Sequence, residues 1–183
     1  RLMMRSRGLR KLSDIVGAKH VLERPAETFV YTADGLPGYR KQPTLVVLPG
    51  TRDEVIAVVR LLAELGVSWV PRGAGTGLSG GALADGAVLL GLHRLRRVIA
   101  IDTENRTALV EPGVVNASLS RATASHGLHY APDPSSQAAS ALSQVLMGRR
   151  SRGNAWNRPN GMCAKSTGLT STGRMRTPSS RCR

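Results

Sequence analysis

A glycine-rich stretch at residues 71–83 contains the residue types and spacing that point most clearly to chemistry. It reads PRGAGTGLSGGAL and places five glycines in thirteen positions. Successive backbone N–H groups that no side chain covers can form a concavity for an anion, and glycine lets a phosphate approach the main chain. Thr76 and Ser79 add hydroxyl donors. Taken alone, the stretch is also typical of a mobile surface loop, and both interpretations stand at this point.

Two nucleotide-binding motifs can be tested against this stretch. Gly75, Gly77 and Gly80 spell the G-x-G-x-x-G of a Rossmann fold, and Asp102 lies near where its ribose-binding acid belongs. That fold needs a crossover helix that begins at the third glycine, whereas here an Asp-Gly turn at 85–86 and then a strand follow. A Walker A loop fails because no Lys and Ser/Thr pair follows the glycines. The pattern instead predicts a strand, a phosphate loop and a return strand.

Regular elements surround the loop between residues 41 and 140. Short apolar runs predict strands at Thr44–Pro49, Val67–Pro71, Ala87–Leu92, Arg97–Asp102 and Thr107–Gly113. A helix is predicted over 51–66, with Thr51 as its N-cap and Gly66 as its end. Its apolar stripe consists of Val55, Val58, Val59, Leu62 and Leu65. A second capped helix is predicted over 116–127. An extended segment is predicted over 130–137, because proline disfavours helical backbone in the residue before it.

The flanking regions differ from this middle part. Residues 1–40 are predicted to form a lead-in with an ordinary helix and a loop marked by Gly35, Pro37 and Gly38. The basic start lacks the apolar core of a signal peptide, and no apolar run reaches the roughly 20 residues of a membrane helix. Two cysteines near the end show neither metal-ligand spacing nor a disulfide framework, so we expect no metal and a cytoplasmic setting. A chain that begins at Arg1 is expected to be a fragment.

The net charge of +14 suggests a nucleic-acid partner, but its distribution argues against one. Residues 141–183 contain nine Lys or Arg and no Asp or Glu, whereas residues 1–140 contain 17 basic and 12 acidic groups. The excess therefore belongs to the tail. That tail has lost all apolar periodicity, and such a composition cannot offset its ordering entropy. We predict a basic, disordered tail.

Three ordered motifs give the chain a family resemblance. They are VPRGAGTGLSGGAL at 70–83, VEPGV at 110–114 and YAPDPSSQ at 130–137. In this order and spacing they resemble the PCMH-type FAD-binding domain of the vanillyl-alcohol oxidase superfamily, and most of all the FAD subunit of bacterial glycolate oxidase and its D-lactate dehydrogenase relatives. The resemblance runs from about residue 10 to 140. It implies the α+β fold of the first part of that domain, a small mixed sheet with flanking helices.

The resemblance also implies a site in which two loops embrace the FAD pyrophosphate. The first loop is assigned Pro71, Arg72, Gly73, Ala74, Gly75 and Thr76, and it is closed by Ser79 and Gly80. The second is assigned Pro132, Asp133, Pro134, Ser135 and Ser136. Some family members tether the flavin covalently, but the first loop here holds no His, Cys or Tyr, so the FAD is expected to be non-covalent. The histidines at 93, 126 and 129 are expected to be structural or solvent-facing.

After residue 137 the chain departs from the family pattern. A second glycine motif and a Cys-x-Lys-Tyr-Gly-Leu-Thr-like run are expected there, and only echoes survive, at 153–154, Gly161, Lys165 and 168–170. A reading-frame disruption or a pseudogene would leave such echoes, whereas a genuine nucleic-acid-binding tail does not explain them. The rest of the FAD domain and the substrate domain are missing or scrambled, so no catalytic residue is assigned.

The resemblance implies the FAD-binding portion of an oxidoreductase that acts on a small 2-hydroxy acid such as glycolate or D-lactate. Other subunits of a glycolate oxidase-type complex are its implied partners, with neither nucleic acid nor a membrane span expected. Two alternatives remain: a basic nucleic-acid-binding protein that acts through its Arg-rich tail, and an inert truncated product. Steep salt dependence would indicate nucleic-acid binding, whereas a yellow protein would indicate FAD.

Overall fold

A computed structural model describes residues 2–36, 38–130, 138–142, 163–165, 168–169 and 175–176 of the chain. Within these residues there are two larger sheets, each with helices packed on it, and a short two-stranded ribbon. The predicted α+β architecture is confirmed. Among the described helices there is none with the length and apolar character needed to cross a bilayer.

The first sheet has four strands in the order β1-β2-β4-β3. They are β1 (Val21–Leu22), β2 (Leu45–Val47), β3 (Trp69–Arg72) and β4 (Val88–Gly91). Strands β2 and β3 both run parallel to β4, which lies between them, and β1 is antiparallel to β2. The predicted return strand is therefore wrong in direction, because β4 runs the same way as β3. The glycine-rich stretch is a crossover between parallel strands and contains no helix.

Four helices accompany the strands: α1 (Leu2–Val16), α2 (Pro25–Thr28), α3 (Arg52–Glu64) and α4 (Asn116–Thr123). The Thr51 hydroxyl accepts a hydrogen bond from the Glu54 N–H at 3.2 Å, which confirms the predicted N-cap of α3. The predicted apolar stripe of α3 is wrong at its last residue, Leu65. Leu65 is 36% exposed, whereas Leu61 is buried, because the stripe follows the face that packs on the sheet.

The core of this first part lies between α1, α3 and one face of the sheet. Its buried members include Leu12, Val16, Leu45, Val47, Val55, Val58, Val59, Leu62, Val88 and Leu90. The opposite face is covered by the crossover, where Ala84 and Ala87 pack against Val46, Leu48 and Leu89. Both faces are thus buried, which explains why β2 and β4 are continuous apolar runs rather than alternating ones.

The second sheet is built on β5 (Val98–Asp102) and β6 (Thr107–Val110), which are antiparallel. Glu111, only 6% exposed, forms an ion pair with Arg97 at 2.8 Å and thereby joins the start of β5 to the end of β6. Leu119 of α4 packs into the same core as Val110 and Leu142. The predicted second helix begins at Asn116, which is fully buried, but its N-cap residue is Val115, which provides no side-chain cap.

Three short strands of the tail are described. They are β7 (Cys163–Lys165), β8 (Gly168–Leu169) and β9 (Met175–Arg176). Strand β7 extends the second sheet in parallel with β6, and β8 pairs with β9. The remainder of 143–183 lies outside the described residues, so the prediction of a disordered tail stays a prediction.

Candidate functional site

The carboxyl ends of β2, β3 and β4 lie at one edge of the first sheet because the three strands are parallel. The glycine loop follows β3 at this edge, and His93 lies just beyond β4. In sheets of this kind, ligands bind outside the carboxyl ends of the strands. The topology therefore brings the glycine loop to the edge where a ligand is expected.

A cleft of about 310 Å³ opens beside the first residues of the glycine loop. It lies between the two sheets, since one wall comes from the end of β3 and the opposite wall from the start of α4. Its lining residues are Val30, Tyr31, Arg72, Gly73, Ala74, His93, Arg96, Gly113, Val115, Ala139 and Ala141. The lining combines cationic side chains, small residues and backbone, which suits a phosphate group better than an apolar ligand.

Arg72 is the best-placed cation of this cleft. Its side chain is buried, with the residue only 8% exposed, and burial lowers the pKa of its guanidinium, against the raising influence of Asp34 and Tyr31. An arginine nevertheless stays protonated in proteins. Within the described residues Arg72 belongs to no ion pair. Its contacts are the Tyr31 carbonyl at 3.5 Å and the Tyr31 ring, 5.8 Å from the guanidinium carbon. A buried cation without an anionic partner is costly, and an anionic ligand would remove that cost.

Other cations and aromatic groups surround Arg72. The Tyr31 ring stacks on His93, with ring centroids 6.4 Å apart. Burial lowers the pKa of His93, and Arg96, Arg94 and Arg72 lower it further by repulsion. His93 is therefore favoured in its neutral form, which can still donate one hydrogen bond from its ring. Arg72 and Arg96 thus give the cleft two cationic side chains, which would attract a diphosphate.

The glycine loop passes over the Arg72 side chain. Gly75 adopts a left-handed backbone with φ of 73°, and a β-carbon placed there would overlap the Arg72 guanidinium. Glycine at residue 75 is required by its backbone conformation, and any side chain there would also have to move the Arg72 guanidinium. The backbone at Gly75 and the Arg72 guanidinium are therefore in close contact.

Thr76 connects the loop to the segment that follows the predicted second loop. Its hydroxyl lies 2.8 Å from that of Ser140. Ser140 is itself fixed, because its carbonyl accepts a hydrogen bond from the Asn116 N–H at 3.0 Å. The second loop, Pro132, Asp133, Pro134, Ser135 and Ser136, lies outside the described residues. Its flanks are described on both sides, and Ala139 and Ala141 line the cleft.

The sequence-predicted residues of the first loop thus separate into groups. Arg72, Gly73 and Ala74 line the cleft. Gly75 lies against the Arg72 guanidinium, and the Thr76 hydroxyl lies within hydrogen-bond distance of the Ser140 hydroxyl. Pro71 lies in β3 and lines a different groove beside α3. Ser79 is exposed, and the Gly80 N–H donates to Asp34 at 3.0 Å.

Sequence reasoning missed several residues of this site. All three histidines were expected to be structural or solvent-facing; His126 and His129 are exposed, and His93, which was not assigned to the site, lines the cleft. Tyr31 and Asp34 belong to the lead-in loop, far from the glycines in sequence. A signal was available for His93, since a residue directly after a parallel strand is placed at the carboxyl edge. No signal in the sequence places residues 30–34 beside the glycine loop, and only the folded structure shows that they lie there.

The described residues fit the phosphate portion of FAD. The cleft supplies a buried arginine without an ion-pair partner among the described residues, and Gly73 and Ala74 of the glycine loop are part of its lining. Arg72 and the N-terminal part of the glycine loop would hold the diphosphate, with Tyr31 and His93 beside it. No group of three or more His, Cys, Asp or Glu in the described part of the chain could hold a metal ion.

Comparisons with known proteins show which sequences this chain is similar to. The chain is 44% identical over 135 residues to the glycolate oxidase subunit GlcD of Escherichia coli strain K12, which covers 73% of the chain and 27% of that protein. It is 36% identical over 133 residues to GlcD of Bacillus subtilis, with 72% and 28% covered. It is 35% identical over 106 residues to a D-lactate dehydrogenase of Anaerostipes hadrus, with 57% and 22% covered. The chain thus spans about a quarter of the length of these relatives.

Solved structures share the fold. The 4-ethylphenol oxidase of Gulosibacter chungangensis superposes with a TM-score of 0.61 at 28% identity, over 70% of this chain and 26% of that one. An alkyldihydroxyacetonephosphate synthase superposes with a TM-score of 0.67 at 22% identity, over 77% and 31%. The FAD binding domain family matches residues 43–176, which is most of the chain and includes the glycine loop. The chain belongs to the FAD-binding domain family of the PCMH type.

Proposed function

We propose that this chain is the FAD-binding portion of an FAD-linked oxidoreductase that oxidises a small 2-hydroxy acid of the glycolate or D-lactate type. The names of the relatives support the substrate class, since they are glycolate oxidase subunits and a D-lactate dehydrogenase. The observation that carries the cofactor assignment is the buried Arg72, which lines the cleft at the carboxyl edge of the parallel strands.

Each part of the cleft has a task in this proposal. FAD supplies the redox chemistry as a two-electron acceptor for the α-hydroxy acid. Arg72 neutralises the diphosphate, and burial strengthens this attraction because the local dielectric is low. The glycine loop lets the backbone approach the phosphates, and the ring of Tyr31 keeps water from one side of Arg72. Attachment is non-covalent, since the loop carries no His, Cys or Tyr.

We propose that the substrate pocket and the catalytic base lie in parts of the whole protein that this chain does not span, since it covers about a quarter of its relatives' length. We therefore assign no catalytic residue, and we expect the chain to lack activity alone. Because two of the relatives are named as subunits, other subunits of a glycolate oxidase-type complex are the proposed partners, in the cytoplasm. For the whole protein, oxidation of glycolate or D-lactate but not of 4-ethylphenol is expected. Turnover of the phenol alone would contradict the substrate class.

We expect the 183-residue chain to bind FAD, but more weakly than micromolar. Small-molecule sites enclose most of the ligand surface, and the chain provides a phosphate cradle without a complete flavin pocket. Titration of FAD with the protein, followed by flavin fluorescence, measures the dissociation constant. Riboflavin, which lacks phosphates, is the control and should bind far more weakly. Equal affinities for the two would contradict the phosphate cradle, and submicromolar FAD binding would contradict the missing pocket.

A nucleic-acid-binding function is the second candidate, carried by the nine basic and no acidic residues of 141–183. A single-stranded oligonucleotide should bind this chain only weakly and without competing with FAD. Tight binding that weakens steeply with salt would favour this candidate.

The same tail is proposed to result from a reading-frame disruption. The family match extends to residue 176, beyond the point where the motifs are scrambled, which agrees with the echoes of the family pattern. Translation of the coding sequence after residue 137 in all three frames should recover the second glycine motif in one of the other frames. If none of the frames recovers it, the tail is genuine.

A further inference from the structure

We propose that Asp34 is a positioning residue for the glycine loop, which its carboxylate holds in the shape that receives the cofactor diphosphate. The inference rests on the proposed FAD site. It adds the lead-in loop to a site that the sequence motifs confine to residues 71–80 and 132–136.

The carboxylate of Asp34 uses both of its oxygens on backbone N–H groups. Oδ2 accepts from the Gly80 N–H at 3.0 Å, across 46 residues of sequence, and Oδ1 accepts from the Leu36 N–H at 2.9 Å. The second bond makes an Asx turn that fixes the side chain. The bond to the Gly80 N–H then fixes the position of the C-terminal part of the glycine loop.

Gly35 brings the two backbones into direct contact beside this bond. Its N–H donates to the Gly77 carbonyl at 2.9 Å. A β-carbon at residue 35 would lie 2.7 Å from the Thr76 carbonyl oxygen and 2.9 Å from that of Gly77. The lead-in loop therefore forms hydrogen bonds with the glycine loop at Gly77 and Gly80, and the Thr76 carbonyl leaves no room for a side chain at residue 35.

The hydrogen bonds go to Gly77 and Gly80, whereas Gly73 and Ala74 of the same loop line the cleft. Asp34 also acts on the arginine of the cleft, since its charge raises the pKa of Arg72. The two groups form no ion pair, and each Asp34 oxygen accepts a backbone N–H instead. Arg72 therefore remains available to an external anion while Asp34 holds the loop.

The substitution Asp34→Asn tests this role with little change in shape. An amide has one acceptor oxygen, so it can serve Gly80 or Leu36 but not both. Asp85→Asn is the matched control, because it removes the same charge from an exposed residue that pairs with Lys41 at 2.6 Å. Hydrogen exchange of peptides that cover residues 73–81, thermal melts and FAD titrations are measured on the 183-residue chain and both variants.

For Asp34→Asn we expect amide exchange in 73–81 to be about tenfold faster and FAD binding about tenfold weaker, the loss of one charge-assisted hydrogen bond. The rest of the chain should exchange as before. Asp85→Asn should leave the loop unchanged. Gly35→Ala, which pushes the two backbones apart, should loosen the same peptides and serves as an independent variant.

Unchanged loop exchange in Asp34→Asn and Gly35→Ala would overturn the proposal, as would faster exchange spread over the whole chain. These outcomes are separable from failure of the proposed function. If the unsubstituted chain binds no FAD at millimolar concentration, the cofactor assignment fails, while loop exchange still decides whether Asp34 positions the loop.

Discussion

The turn after α3 and the loop after β3 each contain a glycine with a left-handed backbone. Gly66 has φ of 63° and Gly75 has φ of 73°. A β-carbon at Gly66 would meet no atom within 4 Å, whereas one at Gly75 would overlap the Arg72 guanidinium. Gly66 ends a helix, and its N–H donates to the Ala63 carbonyl at 3.1 Å. A positive φ therefore marks a tight turn in both places. Only the atoms around the glycine distinguish a helix end, as at Gly66, from a residue of the candidate site, as at Gly75.

The largest effect is expected for Gly75→Val. Valine at this φ is strained, and its side chain must displace Arg72 from the cleft. We expect FAD binding to be abolished, with the fold largely intact and the free energy of unfolding lowered by about 1–2 kcal/mol. Flavin fluorescence titrations and thermal melts of the apo protein measure the two effects. A Gly75→Val protein that binds FAD as the unsubstituted chain does would show that this loop is not the phosphate cradle.

A smaller effect is expected for Arg72→Met, which keeps an unbranched, largely apolar side chain but removes the guanidinium and its charge. The dissociation constant for FAD should rise roughly tenfold to hundredfold, as for a lost hydrogen bond to a charged group. Riboflavin binding should not change. Arg94→Met is the matched control, since Arg94 is exposed and donates to the Leu48 carbonyl at 2.6 Å. If both variants weaken FAD binding equally, general positive charge rather than Arg72 attracts the cofactor.

The smallest effect on the cofactor is expected for Gly66→Val. The backbone strain resembles that of Gly75→Val, so the free energy of unfolding should fall by about 1–2 kcal/mol. FAD affinity should stay the same, because Gly66 lines a groove beside α3 and not the cleft. Denaturant melts and FAD titration on the same preparation check this pair of results. A loss of FAD binding here equal to that of Gly75→Val would remove the contrast between the two glycines.

Much of the fold could be predicted from the sequence because its signals are local. Thr51 and Gly66 bound α3 as capping rules require, and β2, β4, β5 and β6 lie within the predicted apolar runs. The absence of a helix after the glycines excluded the Rossmann fold. The direction of β4 could not be predicted, because a crossover without a helix is an unusual connection between parallel strands.

The site was less predictable, because its parts come from distant segments. Arg72, Gly73 and Ala74 were assigned through the family motif, and they line the cleft. Tyr31 and Asp34 were missed because a tyrosine and an aspartate in a loop carry no local signal of their partners. His93 was missed because a lone histidine has no motif. These residues can be assigned to the site only once the fold is known, because the order of the sheet brings the carboxyl ends of β2, β3 and β4 to one edge.

A crystal structure of this chain grown with saturating FAD would show directly whether Arg72 and the glycine loop bind the diphosphate. We expect the diphosphate in the cleft between the glycine loop and the start of α4. Its oxygens should lie within hydrogen-bond distance, about 3 Å, of the Arg72 guanidinium and of the backbone at Gly73 and Ala74. A diphosphate bound elsewhere, with Arg72 still packed against Tyr31 and Gly75 and no phosphate contact, would contradict it.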